Sequence, residues 1–318
     1  MLGIVIPAYK RADYLREALQ SLIGQTYKEF IVVVVDDHSP EPLLETVKEF
    51  SDRLNLYYHY CEVNGGPGAA RQVGLNTCYA NNCEYVMFLD SDDLLYPQAV
   101  QRLIHEITNT NCEVISAQIW QENGRGAGGI VDASNETWLH GKIYSTKYLQ
   151  DNNIVFPPIR TNEDVTFNLI ALQCAERKGY LNEPLYLFRC EQNSITRGNS
   201  ASISVVSTDY ISSLYYVAVY MMEKFGKVTS QIVIDVFACY NHYQIGKCAG
   251  IINEEINQQM KYLLSLPDVT AVFSDMETLE NYIGVTNQYG FFKEQVYYFR
   301  QTFIDWLEEM QNYGNSNN

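Results

Sequence analysis

Positive charge is scarce in this sequence. Lys and Arg number 22 against 38 Asp and Glu, a formal net charge of −16, and the pI is near 4.7. That balance excludes nucleic acid as a partner, because such binding rests on Lys and Arg contacts to phosphate. Long apolar runs are missing too: no stretch approaches the ~20 residues that a membrane-spanning helix requires. Cysteine occurs at 61, 78, 83, 112, 174, 190, 239 and 248, but never as CxxC or at a regular spacing. Neither a zinc nor a disulfide framework is indicated, and free thiols in a reducing compartment are expected. No signal-peptide pattern precedes Leu2–Ile6, which already reads as a strand. The expected location is the cytoplasm, with peripheral attachment at the inner face of the membrane as a variant of it.

What is present describes a globular chain, 47% hydrophobic and 19% charged. Its 318 residues suffice for one large α/β domain, or for a domain with a helical appendage. Leu2–Ile6 reads as a strand, and Leu15, Ala18, Leu19 and Leu22 recur at helical spacing within Asp13–Ile23. Phe30–Val35 is almost purely β-branched, as parallel strands buried on both faces are. Asp36, Asp37, His38, Ser39 and Pro40 follow it. Ser39 before Pro40 reads as an N-cap with proline at the first helical position, opening a helix that runs to about Asp52. Asp36 and Asp37 are then unexplained by capping. Leu54–His59 forms a third strand. The glycines of Asn64–Gly74 lead into a helix, where they either present backbone N–H groups to an anion or make a plain turn. Arg71, in the first turns of that helix, either reaches a phosphate or is solvated.

The stretch that carries chemistry is Glu84–Pro97, E-Y-V-M-F-L-D-S-D-D-L-L-Y-P. An apolar run ends abruptly in Asp90, Ser91, Asp92 and Asp93, at the carboxyl end of a buried strand, where open α/β sheets bind ligands. Hard cations such as Mg²⁺ and Mn²⁺ take one or two carboxylates together with substrate phosphates. The bland alternative is that Asp92 or Asp93 caps a helix beginning near Pro97. Capping accounts for one carboxylate, whereas crowded neighbours repel unless a cation or a shared proton offsets them.

Further along, Gln98–Thr108 reads as a helix and Glu113–Ile119 as a strand. Gln121–Gly129 holds four glycines in nine residues and reads as a mobile loop. Trp138–Tyr144 is strand-like, with a short helix over Ser145–Asp151. A helix with apolar Val165, Leu169, Leu172 and Ala175 carries Glu163 and Asp164 in its first turn, where acidic side chains also suit the helix dipole. Pro184–Phe188 is a strand leading into Arg189 and Glu191. Composition changes near Arg197–Ser202, which divides the chain into 1–200 and a helical region over 201–318. That region has 6 Lys and Arg and 13 Asp and Glu, net −7, and so offers no basic patch for anionic lipid. Its apolar stripes, Val206, Tyr210, Leu214, Val217, Met221 and then Phe292, Val296, Phe299, Phe303, Trp306, Met310, face either a core or a second copy in a homo-oligomer.

In order, the chain carries I-V-I-P-A-Y-K, V-V-V-D-D-H-S, N-G-G-P-G-A-A-R-Q-V-G-L-N, F-L-D-S-D-D-L-L-Y-P, H-G-K-I-Y, N-E-D-V-T-F-N-L and L-Y-L-F-R-C-E-Q-N-S-I-T. The ordered set, over about residues 2–197, resembles the GT-A glycosyltransferases of family 2, an inverting group that builds bacterial surface polysaccharides. The resemblance implies a Rossmann-like, mostly parallel α/β sheet flanked by helices, with an α-helical C-terminal region for acceptor binding or oligomerisation. It implies that Pro7 and Tyr9 line a nucleobase pocket, with Asp37 bonded to the base, Asp36 supporting it, and Asn64, Gly65 and Arg71 holding the nucleoside. Asp90-Ser91-Asp92 matches the DxD motif, with Asp92 a ligand of Mn²⁺ or Mg²⁺ and Asp90 on ribose or metal. Asp164 matches the catalytic base, beside Glu163. His140, Lys142, Arg189 and Glu191 fall where diphosphate or acceptor is met. Family members often carry histidine at the last of these positions, so the chain departs from the pattern there.

The implied reaction moves a hexosyl or N-acetylhexosaminyl group from a nucleotide-sugar, most simply a UDP-sugar, to a glycan hydroxyl that is free or lipid-linked. A pyrophosphorylase would carry a Gly-rich, Arg-containing loop after the first strand, where this chain has Pro7-Ala8-Tyr9-Lys10. A glycosidase needs two carboxylates but no metal cluster beside a nucleotide pocket. A non-catalytic glycan- or nucleotide-binding subunit is the remaining alternative.

Overall fold

Strands β1 (Leu2–Ala8) and β2 (Phe30–Asp36) are buried along their whole length. Their Ile and Val side chains have apolar partners on both faces, as strands between two helical layers require. The structure is a computed structural model that describes residues 1–122, 127–189, 203–248 and 250–274, with 301 and 304. Glu191, residues 123–126 of the Gly-rich stretch and the stripe Phe292–Met310 lie outside the described residues. The chain forms two compact units, Met1–Ala201 and Ser202–Asn318.

In the first unit, α1 (Ala12–Ile23) links β1 to β2, and α2 (Leu44–Lys48) leads to β3 (Leu56–Tyr60). Helix α3 (Pro67–Ala80) leads to β4 (Tyr85–Phe88), and a short β5 (Leu94–Leu95) and α4 (Ala99–Thr110) follow. Then come β6 (Val114–Glu122), β7 (Gly128–Val131), β8 (Lys142–Ser145), α5 (Thr146–Asp151), α6 (Glu163–Cys174) and β9 (Lys178–Phe188). The sheet runs β3-β2-β1-β4-β8-β6-β9-β5, with β7 on β6. It is parallel from β3 to β4, where helices return the chain. Beyond β4 it is mixed: β8 and β7 pair antiparallel, and only β6 with β9 is parallel. Chain order reverses beside β1, and the carboxyl ends of β1, β2 and β4 open on that switch point, where such sheets hold ligands.

Local expectations shift in four places. Ser39 is no N-cap, since α2 begins at Leu44. Its hydroxyl accepts from the Lys10 amide at 2.7 Å instead. Neither Asp92 nor Asp93 caps a helix, because β5 intervenes and Gln98 holds the N-cap position of α4. The ends of the Gly-rich stretch are strands rather than loop, with Gln121 opposite Gly129 and Glu122 opposite Gly128. In α6 the core-facing set is Phe167, Ile170 and Ala171 along with Leu172, while Val165 and Leu169 are half-buried. Phe88, Phe156 and Tyr144 surround Phe167, and this aromatic packing sets the helix rotation.

The second unit contains α7 (Ile203–Phe225), α8 (Ser230–Cys248), α9 (Glu254–Ser265) and α10 (Pro267–Ser274). Leu214, Val217 and Met221 of the first stripe are buried, and α7 packs on α8 and α9. No helix among the described residues is long and apolar enough to cross a membrane.

Helix α3 lies unusually close to the sheet at Gly74, where an added Cβ would overlap the Val5 side chain. Gly74→Ala is therefore expected to lower stability by about 1–3 kcal/mol through overpacking, read as a lowered midpoint in urea unfolding.

Candidate active site

A cleft of about 650 Å³ opens at the carboxyl ends of β1, β2 and β4. Pro7, Tyr9, Asp37, Asn64 and Gly66 line one part of it. Asp37 ties that part together: its carboxylate accepts from the amides of Gly65 and Gly66, both at 2.8 Å. The Asn64 side-chain amide donates to the Asp37 carbonyl at 2.8 Å. Asp36 does not line the cleft. It is buried and accepts from the Ser39 amide, the Leu43 amide and the Tyr58 hydroxyl, each at 2.8 Å, so it holds the loop after β2.

The acidic turn lies between β4 and β5. Asp90, Ser91 and Asp92 line the cleft, and Asp92 pairs with Arg11 from the loop after β1. Asp93, 1% exposed, turns away from the cleft and accepts from the Tyr186 hydroxyl at 2.7 Å and the Arg189 amide at 2.8 Å. His140 Nε2 donates to Asp90 at 3.1 Å. One ligand atom from each of Asp90, Asp93 and His140 lies within 4.8 Å of the others, but both Asp93 oxygens and His140 Nε2 are engaged in these hydrogen bonds, so of the three Asp90 is the one that also lines the cleft beside Asp92. Burial, the charge of Asp90 and the opposing charge of Arg11 leave Asp92 with a raised pKa. Burial pushes Asp93 up to about 7 against the attraction of His140. Carboxylates held in this state are the ones a cation would relieve.

Arg71 is not solvated, although it lines the cleft. It is 3% exposed and donates to Glu163 at 2.6 Å and to Asp90 at 2.7 Å. Burial alone would lower its pKa, but Asp90, Glu163 and Asp164 outweigh that and keep it charged. Burial likewise opposes ionisation of Asp90, yet Arg71 and His140 hold it well below the usual carboxylate range. Glu163 is the weaker partner: burial, with Asp164 beside it, raises it to about 7 despite Arg71. Glu163 can approach α3 this closely because residue 68 is glycine, where any Cβ would strike the Glu163 side chain. Asp164, next in sequence, lines the cleft and accepts no hydrogen bond from the described residues.

Lys142, expected at diphosphate or acceptor, does not line the cleft. It is 2% exposed, and its amine donates to the carbonyls of Asn135, at 2.9 Å, and Trp138. Burial lowers it to about 7, against the charge of Glu136; as a neutral amine it still satisfies both carbonyls. Arg189 does line the cleft. It lies over the Tyr14 ring at 4.9 Å and donates to the Asp92 carbonyl and to Glu17, and its Nη2 is buried without a hydrogen-bond partner among the described residues. Sequence reasoning left Arg11, Asp93, Trp138 and Phe188 out of the site. For Asp93 the signal was there, a third carboxylate in four residues, and Phe188 lies within L-Y-L-F-R-C-E-Q-N-S-I-T; Arg11 and Trp138 lie in none of the motifs.

Removing Arg71 leaves the buried Glu163 uncompensated and Asp90 with only His140, so Arg71→Met is expected to cost about 3–5 kcal/mol in denaturant unfolding. Lys142 binds fewer protons when folded than when unfolded between pH about 7 and its ordinary value, so its contribution to stability rises with pH across that window. The melting temperature of Lys142→Met relative to the unaltered chain should therefore be highest near pH 6 and fall as pH approaches ~10.

Residues 3–160, about half of the chain, match the family model described as glycosyl transferase family 2. The poly(ribitol-phosphate) beta-N-acetylglucosaminyltransferase TarS of Staphylococcus aureus (strain Mu50) is 28% identical over 284 residues, 84% of this chain and 48% of its own length. Glycosyltransferase GlyA of Streptococcus pneumoniae serotype 4 is 28% identical over 62% of this chain and 31% of its own. The chain thus spans less than half the length of these curated relatives. Among solved structures, S. aureus TarS 1-349 in complex with UDP-GlcNAc aligns with a TM-score of 0.63 at 24% identity, covering 83% of this chain and 79% of that one. Mannosyltransferase PcManGT from Pyrobaculum calidifontis, in complex with GDP-Man and Mn²⁺, aligns with a TM-score of 0.52 at 14% identity, covering 91% and 87%. At such identities the structural likenesses speak for the fold, which is GT-A. With the ordered motifs, the cleft at the switch point and the family match together, the chain belongs to glycosyltransferase family 2.

Proposed function

We propose that the chain transfers a sugar from a nucleotide donor, UDP-linked, to a hydroxyl of a glycan acceptor with inversion at the anomeric carbon. The observation that carries this reading is the contrast between two neighbouring carboxylates. Glu163 is locked to Arg71, whereas Asp164 lies in the same cleft with no hydrogen bond from a described residue. An unengaged carboxylate is suited to take the proton of an attacking hydroxyl. One base acting on one attacking hydroxyl amounts to a single displacement, and hence inversion. The Asn64–Gly66 segment with Asp37, together with Pro7 and Tyr9, would hold the nucleoside. Arg189, with a guanidinium N–H unmet by the described residues, would donate to the departing diphosphate.

The carboxylates fit a divalent cation. Asp90 and Asp92 face the cleft and would hold Mn²⁺ or Mg²⁺, while Asp93 and His140 position Asp90 and the turn from behind. When bound, the cation neutralises charge that develops on the leaving diphosphate. The donor assignment draws support from the relative TarS, whose solved structures are complexes with UDP-GlcNAc and with UDP. Names such as poly(ribitol-phosphate) beta-N-acetylglucosaminyltransferase and beta-glucosyltransferase among the relatives support transfer to a hydroxyl-bearing polymer.

Asp164→Asn is expected to keep nucleotide binding and lose about 10²–10⁴-fold in transfer, and Asp92→Ala to lose Mn²⁺-dependent transfer. Both are read with UDP-, GDP-, dTDP- and CMP-sugars, each with and without the ion. Full transfer by Asp164→Asn would refute the base, and an absence of nucleotide binding in the presence of Mn²⁺ would return the chain to the class of non-catalytic subunits.

A further inference from the structure

We propose that Trp138, backed by Phe188, is the platform on which a neutral pyranose ring of the acceptor stacks. The inference rests on the transferase reading above and adds the chemical class of what is glycosylated. Trp138 and Phe188 are half-buried and both line the cleft. Their ring centroids are 4.9 Å apart. His140 packs edge-on against Trp138 at 5.8 Å and against Phe188 at 5.3 Å, which joins the pair to the Asp90 side of the site. Asp164 lines the same cleft as the two rings.

The segment that carries Trp138 is unusually well fastened for a loop. The Lys142 amine donates to the carbonyls of Asn135 and Trp138, and the Asn168 amide donates to the carbonyl of Glu136. The Asn135 side chain accepts from the amides of Thr137 at 3.0 Å and Trp138 at 2.9 Å. A buried lysine and a buried asparagine are costly groups to place under a surface loop, and together they fix one ring at the cleft wall. Fixing an aromatic face in advance reduces the ordering cost of binding to it.

The occupant follows from charge. The nucleotide half of the substrate meets charged groups, Arg11, Arg189 and the acidic turn. A neutral acceptor sugar brings no charge and needs an apolar face for its C–H groups. A polyol-phosphate chain offers no ring to stack. The aromatic pair therefore fits a pyranose acceptor rather than a phosphate-bearing linear one.

Saturation-transfer NMR on the full chain, with UDP and Mg²⁺ present, tests this. The probes are the methyl pyranosides of glucose, galactose, mannose and N-acetylglucosamine, with ribitol 5-phosphate for comparison. At least one pyranoside should show saturation concentrated on one ring face. Trp138→Ala should weaken it about tenfold, while Trp138→Phe should stay within about twofold. UDP affinity, read by calorimetry, should hold in both variants and so report an intact cleft. Trp138→Leu, which keeps apolar volume without a π face, should behave like the alanine variant; retention of binding in it would assign the effect to packing and overturn the platform. Unchanged pyranoside binding in Trp138→Ala, tighter binding of ribitol 5-phosphate than of any pyranoside, or a loss confined to the affinity of UDP-glucose and UDP-N-acetylglucosamine over UDP would each overturn it too. If the unaltered chain bound no UDP, the transferase reading itself would fall, and the platform with it.

Discussion

A single buried guanidinium joins the two functional ends of this cleft. Arg71 holds Asp90, at the end of β4, and Glu163, at the start of α6. Those two carboxylates come from elements separated by 73 residues of chain and would repel each other without a cation between them. Their attraction to Arg71 is what allows the acidic turn and the Glu163–Asp164 pair to face one space. The requirement propagates outward: Arg71 must leave α3 on its sheet-facing side, α3 must lie close enough for the reach, and Gly68 and Gly74 supply the closeness. Were α3 displaced outward by a side chain at either position, the bridge would lengthen and the site would lose its anchor.

The same logic explains why the chain invests buried polar groups around a cleft instead of inside a uniform apolar core. Asp36 organises the loop after β2, Asp93 fastens β9 to the acidic turn through Tyr186 and the Arg189 amide, and Lys142 with Asn168 fastens the loop before β8. Each is fully partnered at close range, which is the condition under which burial of polar groups is tolerated. Every one of them lies one layer behind a group that faces the cleft: Asp36 behind Asp37, Asp93 behind Asp90 and Asp92, Lys142 behind Trp138. The reacting surface is thus held by a second rank of residues whose charges are neutralised or matched away from solvent.

Much of the fold was legible from residue patterns. The β-branched run Phe30–Val35 could only be a strand covered on both sides, and the stripe Leu15, Ala18, Leu19, Leu22 could only be one helix face. The positions of Asp37, Asp92 and Asp164 at the ends of such elements were equally plain, because strand ends and helix starts are where such sheets place their chemistry. Less legible were features that depend on partners far away in the chain. Val165 and Leu169 looked like the core face of α6, yet the stack of Phe156 on Phe167 rotates the helix by its own packing. Lys142, two residues after His140, looked like a cleft residue, but Gly141 between them takes φ +69° and the Lys142 amine reaches the carbonyls of Asn135 and Trp138 instead.

By itself the sequence determined the kind of fold, the family, and the carboxylates that such a fold presents, since these follow from local periodicity and from motifs confined to short stretches. Tertiary structure alone decided which charges neutralise one another. Arg71 is a bridge between carboxylates and not a solvated side chain, and Asp93 is a brace and not a helix cap. Those outcomes depend on distances between residues dozens of positions apart, and electrostatic attraction acts on separation in space, which no order of letters specifies.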